Sequence, residues 1–72
     1  MQLIFTCNSN EDFDRMKLII SKSKFNADAL NYEYRSLCFQ CRDRQDANAL
    51  ELNLLQIVSD NDISGYFELE EK

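Results

Sequence analysis

Cys38-Phe39-Gln40-Cys41 has the C-x-x-C spacing used by dithiol redox centres and by one half of a zinc knuckle. A redox pair needs its first cysteine at a helix start, where the helix dipole favours the thiolate, and a knuckle needs a second pair of ligands. Only Cys7 is left to supply one, and the chain contains no histidine. Without histidine there is no Ser-His-Asp or Cys-His arrangement and no histidine metal site. Cys7 and Cys41 each precede an expected helix start, a position that lowers thiol pKa values, but neither has a base to activate it. Asp60 with Asp62, and Glu68 with Glu70, are the carboxylate pairs that could hold a cation or exchange a proton. One pair falls in a helix-exit loop and the other along an exposed strand face, so solvated charge is the expected role of both. The chain reads as a non-enzyme without cofactor or metal.

The elements that position these groups are written twice, at a spacing of 34 residues. Leu3, Phe5 and Cys7 recur as Leu37, Phe39 and Cys41. Asp12, Met16, Leu18 and Ile20 recur as Asp46, Leu50, Leu52 and Leu54, and Tyr32 as Tyr66. Each half, 1–34 and 35–72, reads as strand, helix, strand. The first strand runs from Gln2 to Cys7, with Leu3, Phe5 and Cys7 on one face and Gln2, Ile4 and Thr6 on the other. Ser9 followed by Asp12 resembles a capping box, and Phe13, Met16, Ile19 and Ile20 form a helical stripe. Glu11, Asp12 and Asp14 near its start, and Lys22 and Lys24 near its end, complement the helix dipole. Asp43 caps a second helix that buries Ala47, Leu50, Leu54, Leu55, Ile57 and Val58 and ends at Asp60-Asn61-Asp62. The last strand, Tyr66 to Glu70, turns Phe67 and Leu69 inward and Tyr66, Glu68 and Glu70 outward.

Between the helices, Asp28 to Cys41 changes phase. Leu30, Tyr32 and Tyr34 keep one alternation, Leu37, Phe39 and Cys41 the other, with the slip at Arg35-Ser36. A bulge in one long strand or a tight turn between two strands fits the slip, and the duplicated unit selects the turn because it needs four strands. The order is then βαββαβ, the ferredoxin-like α+β pattern: a two-layer sandwich with two helices on one face of a four-stranded antiparallel sheet. In that topology Phe5 and Phe39 approach each other near the pseudo-twofold axis. Cys7 and Cys41 fall at opposite ends of the sheet, and Cys38 and Cys41 fall on opposite faces.

Chemistries known for this architecture can be checked against the same positions. RNA-recognition motifs stack bases on aromatics of the two central strands, where this chain has Ile4, Thr6, Cys38 and Gln40. Heavy-metal-associated domains place two cysteines around the first loop, where this chain has Cys7 and then Asn10. Acylphosphatases carry a glycine-containing anion loop after the first strand, and Cys7-Asn8-Ser9-Asn10 contains no glycine.

Surface and charge remain. The 72 residues, 44% hydrophobic and 29% charged, suit one small globular domain, with no run long enough to span a bilayer and no secretion signal. Three cysteines without a disulfide framework fit a reducing, cytoplasmic setting. The net charge is −5, and no Lys or Arg lies between Gln45 and Glu71, which repels a phosphate backbone and suits a basic protein partner. The open sheet face is the first expected contact surface, through Ile4, Cys38 and Tyr66 with Glu33, Glu68 and Glu70 around them. Leu18 and Leu52 occupy equivalent places off the core side of the two helices and are further contact candidates. The functional expectation is a small acidic protein-interaction or regulatory module, with homodimerisation through the sheet as one use of the face. The alternative is an acidic, phage-type inhibitor that mimics nucleic acid and blocks a nucleic-acid-binding protein.

Overall fold

Alternation of apolar and polar residues builds the sheet, and the computed structural model describes residues 1–23 and 30–71 of it and its helices. The elements are β1 (Gln2–Cys7), α1 (Asn10–Ser21), β2 (Leu30–Glu33), β3 (Ser36–Gln40), α2 (Arg44–Asp60) and β4 (Gly65–Glu70). The four strands form one antiparallel sheet in the order β2-β3-β1-β4. This is the ferredoxin-like α+β sandwich that the repeat predicts. Lys24 and Asp28, to which the sequence assigns a dipole role and the start of the middle segment, lie outside the described residues.

Both helices start with the same device. Ser9 Oγ accepts from the Asp12 N–H at 3.1 Å, and Asp43 Oδ1 accepts from the Asp46 N–H at 2.8 Å. Each satisfies one of the donors a helix leaves unpaired at its start, an interaction worth about 1 kcal/mol. The Asp12 carboxylate completes no box. It accepts instead from the Ser64 N–H at 3.3 Å and pairs with Arg15, which also donates to the Asn61 carbonyl. The start of α1 is thereby tied to the segment joining α2 to β4.

The core is one cluster between sheet and helices. Leu3, Phe5 and Cys7 of β1 and Leu37 and Phe39 of β3 meet Met16 and Ile20 of α1 and Ala47 and Leu54 of α2. Leu55, expected on the buried face of α2, is 42% exposed. Its stripe is too wide for one helix to cover, and Leu54 takes the central place with complete burial. Lys22 is the C-cap residue of α1, one position beyond the helix, and no basic residue lies in the last turn itself.

The middle segment is a hairpin closed by the Glu33–Ser36 pair, with Tyr34 and Arg35 as its two-residue turn. Arg35 takes the left-handed conformation (φ 57°) that glycine or asparagine usually supplies in such turns. Its neighbours hold it there. The Arg35 carbonyl accepts from the Cys7 N–H at 2.7 Å, and its guanidinium donates to the Asn8 carbonyl at 2.9 Å and stacks on Tyr34. Tyr34 is therefore a turn residue and leaves the alternation of Leu30 and Tyr32.

The β1–β3 register refines the repeat. Ile4 faces Cys38, and these are also the residues that the spacing of 34 relates. The pseudo-twofold axis thus passes between Ile4 and Cys38. Phe5 and Phe39 straddle it, each opposite a leucine (Leu37 and Leu3), and the ring that Phe5 meets is Phe67, at 4.7 Å between centroids.

The outer strands obey a different offset. Leu30 and Tyr32 pair with Phe39 and Leu37 as Phe67 and Leu69 pair with Phe5 and Leu3, a spacing of 37. Tyr66 is not the counterpart of Tyr32. Tyr32 lies opposite core-facing Leu37 with its ring edge-on to Phe13, while Tyr66 lies opposite Thr6 on the open face. Counted from helix start to the register-equivalent residues Leu30 and Phe67, the second half holds three more residues, and α2 is the longer helix, 17 residues against 12. A shift by an odd number reverses the faces of a strand, which a letter match cannot reveal.

Candidate interaction surface

Residues of one sheet face follow from alternation along each strand and register between strands. On the side away from the helices, one row reads Asn31, Cys38, Ile4, Glu68 across β2, β3, β1 and β4. The next row reads Glu33, Ser36, Thr6, Tyr66, and the row on the other side Gln40, Gln2, Glu70. The face therefore unites six of the eight sequence-proposed contact residues: Ile4, Cys38, Tyr66, Glu33, Glu68 and Glu70. Leu18 and Leu52 are not among them. They sit on the outer side of the helices, 57% and 69% exposed, with the whole molecule between them and the open sheet.

Within the face the six are unequal. Tyr66 is 51% exposed and Ile4 is half-buried. Cys38, expected as a contact residue, is only 2% exposed. It lies at the centre of the sheet with Ile4 and Asn31 beside it in the register, and its short side chain offers almost no area of its own to a partner. It is absent from the core cluster, as its phase requires. Sequence reasoning placed Thr6 and Gln40 on this face but missed a polar pairing within it. The hydroxyls of Thr6 and Ser36 are hydrogen-bonded across β1 and β3 at 2.9 Å, and no local pattern announces that pair. The register alone could have found it, because the repeat fixes Ile4 opposite Cys38 and everything else follows by counting.

The charge of the face has one sign. Glu33, Glu68 and Glu70 project from it, and none of its strand positions is Lys or Arg. Glu71, just past β4, is paired with Arg44, whereas Glu68 and Glu70 make no ion pair with any described residue. The field is felt at the centre of the sheet. Burial pushes the Cys38 thiol above its ordinary pKa of 9.0, and the charges of Glu33 and Glu70 push it further.

The other thiols are held protonated too. Burial raises Cys7 to about 11, with the Asp12 carboxylate adding to the shift and Arg35 opposing it. Burial and then Asp46 raise Cys41. The helix start that the sequence credits with lowering these pKa values is outweighed in both cases, by burial first and by the charge of a first-turn carboxylate second. All three cysteines are free, and Cys38 and Cys41 point to opposite faces as strand geometry dictates. A protonated, enclosed thiol is a poor nucleophile and a poor ligand. Among the described residues no three His, Cys, Asp or Glu side chains gather as a metal would require.

Two hollows open on the helix side. One, about 460 Å³, lies at the end of α2 among Leu55, Val58, Ser59, Asp62, Ile63 and Ser64. The other, about 350 Å³, lies at the start of α2 among Arg42, Asp43, Gln45, Asp46 and Ala49. In the second the polar groups bond to one another: Asp46 accepts from the Arg42 N–H at 3.1 Å, and Asp43 from the Asp46 N–H. Among the described residues no helix is long and apolar enough to cross a membrane. Comparison of the chain with protein-family models, curated proteins and solved structures returned no match, so its own surface is the basis for any functional reading.

Proposed function

We propose that this chain is a small, acidic, non-enzymatic interaction module that binds a protein with a basic surface through its open sheet face. The observation that carries the reading is the single sign of that face: three carboxylates, no cation on its strands, and the half-exposed ring of Tyr66 beside them. Carboxylates around an aromatic ring supply charge steering at the rim and an anchor within it. Docking of two copies face to face is opposed by the same charges, since Glu would meet Glu. Three free thiols suit a reducing, cytoplasmic setting. Nucleic acid is repelled by such a face, and the raised thiol pKa values support a binding role over catalysis.

A narrower form of the reading is an acidic inhibitor that occupies the nucleic-acid site of its partner. It is favoured by the stretch from Gln45 to Glu71, which covers β4 and nearly all of α2 without one Lys or Arg. Affinity capture of partners from the native host, followed by binding titrations at rising salt, tests both forms. The module predicts affinity that falls steeply with ionic strength and with Glu33→Lys and Glu68→Lys. The inhibitor form adds displacement of the partner from DNA or RNA.

A further inference from the structure

Strand β4 is an edge of the sheet, and its main chain faces outward along its free side. The phase of that backbone is fixed. The Asn8 N–H donates to the Ser64 carbonyl at 3.0 Å, so Tyr66, Glu68 and Glu70 form the hydrogen-bonded pairs with β1. The amides and carbonyls of Phe67 and Leu69 then point away from β1. Proteins usually blunt such an edge with lysine, proline or a bulge. β4 has no Lys or Pro, and its register with β1 runs unbroken from Gly65 to Glu70.

We propose that β4 takes an added strand from another protein: an extended segment alternating basic with apolar residues. It would bond to the main chain of Phe67 and Leu69, as in β-augmentation generally. Its basic side chains meet Glu68 and Glu70 on the open face, and its apolar ones lie beside Phe67 and Leu69 on the helix side. Near the Gly65 end lies the hollow in which Leu55, Val58 and Ile63 alternate with Ser59, Asp62 and Ser64. A second copy of this chain is a poor occupant, because β4 against β4 sets carboxylate against carboxylate, and β2 brings Glu33. The proposal deepens the reading of a basic partner, sharing Glu68 and Glu70 with it, yet it can fail separately.

The test is fluorescence anisotropy with a labelled short peptide alternating Lys and Val. Binding should weaken by about tenfold or more when the peptide amides that face β4 are N-methylated, and little when the outward amides are. Leu69→Pro should weaken it similarly, since that residue's N–H points away from β1 and has no partner among the described residues, and proline is tolerated at such edges. Glu70→Lys should weaken it as well. On binding, the Phe67 and Leu69 amides should gain protection from hydrogen exchange. Absence of binding at about 1 mM peptide, or equal loss from both methylation patterns, overturns strand addition. If Leu69→Pro does not fold, the methylation pair decides alone. Loss on Tyr66→Ala with indifference to methylation overturns strand addition and leaves face docking standing.

Discussion

The two faces of the sheet are made by the same four strands, often by adjacent residues, and they differ in almost every physical respect. On the helix side Leu3, Phe5, Leu37 and Phe39 are removed from water and packed against two helices. On the open side Thr6, Ser36, Glu68 and Tyr66 keep contact with solvent, and the charges present are negative. Burial of apolar area stabilises a small domain far more than exposed polar contacts do. The helix side therefore holds the fold, and the open side is free to carry function. Cys38 is the exception, buried on the face that should be open.

Substitutions along this gradient sharpen or break the contrast. The largest effect is expected where β4 approaches β1. A Cβ on Gly65 would sit 2.4 Å from the Thr6 carbonyl oxygen and 2.6 Å from Cζ of Phe5, so Gly65→Ala must move backbone or ring. A loss of about 3–4 kcal/mol in urea unfolding is expected. Leu3→Ala and Leu37→Ala occupy equivalent core places and should each cost about 3 kcal/mol, similar to one another. A large difference between them would deny the internal symmetry. Cys38→Ser places a hydroxyl in an enclosed site between Ile4 and Asn31 and should cost about 1–2 kcal/mol, against less than about 0.5 kcal/mol for Tyr66→Ser or Glu68→Gln on the same face. Equal costs at the three positions would mean that the open face is not open.

The pH dependence has a defined sign. The Cys7 thiol holds its proton up to about 11 in the folded chain and releases it near 9.0 when unfolded. Its contribution to stability is fully present below pH 9.0 and is lost as pH rises toward about 11. Cys38 and Cys41 shift in the same direction. Urea midpoints should therefore be flat in this respect through neutral pH and fall in the alkaline range. Glu70→Gln should lower the Cys38 pKa by removing one of the charges that raise it, measured by thiolate absorbance in a Cys7→Ala, Cys41→Ala background.

The fold was legible because core positions repeat at a fixed spacing and strands keep a period of two. That was enough to split the middle segment and to separate Cys38 from Cys41. What it could not carry was the length difference within the repeat. Three additional residues ahead of Phe67, the register equivalent of Leu30, move the outer strand to a spacing of 37, so Tyr66 matches Tyr32 as a letter and not as a place. Side-chain enclosure was equally hidden. Alternation assigned Cys38 to the open face correctly, but whether neighbours cover a small side chain depends on the sheet's twist and their size. Arg35 marks a third limit, since its positive φ is held by Asn8 and Cys7, residues distant in sequence. The acidic sign of the open face, by contrast, could be counted from the strand phases alone.

The direct test of a functional open face compares it with the outer helix side in one binding measurement. The partner captured from the native host is titrated with the unaltered chain, with a Glu33→Lys/Glu68→Lys variant, and with a Leu18→Ser/Leu52→Ser variant. The account predicts that charge reversal on the sheet weakens binding by about a hundredfold or more at low salt, while the helix variant binds unchanged. Binding that survives the sheet variant and disappears with the helix variant would contradict it.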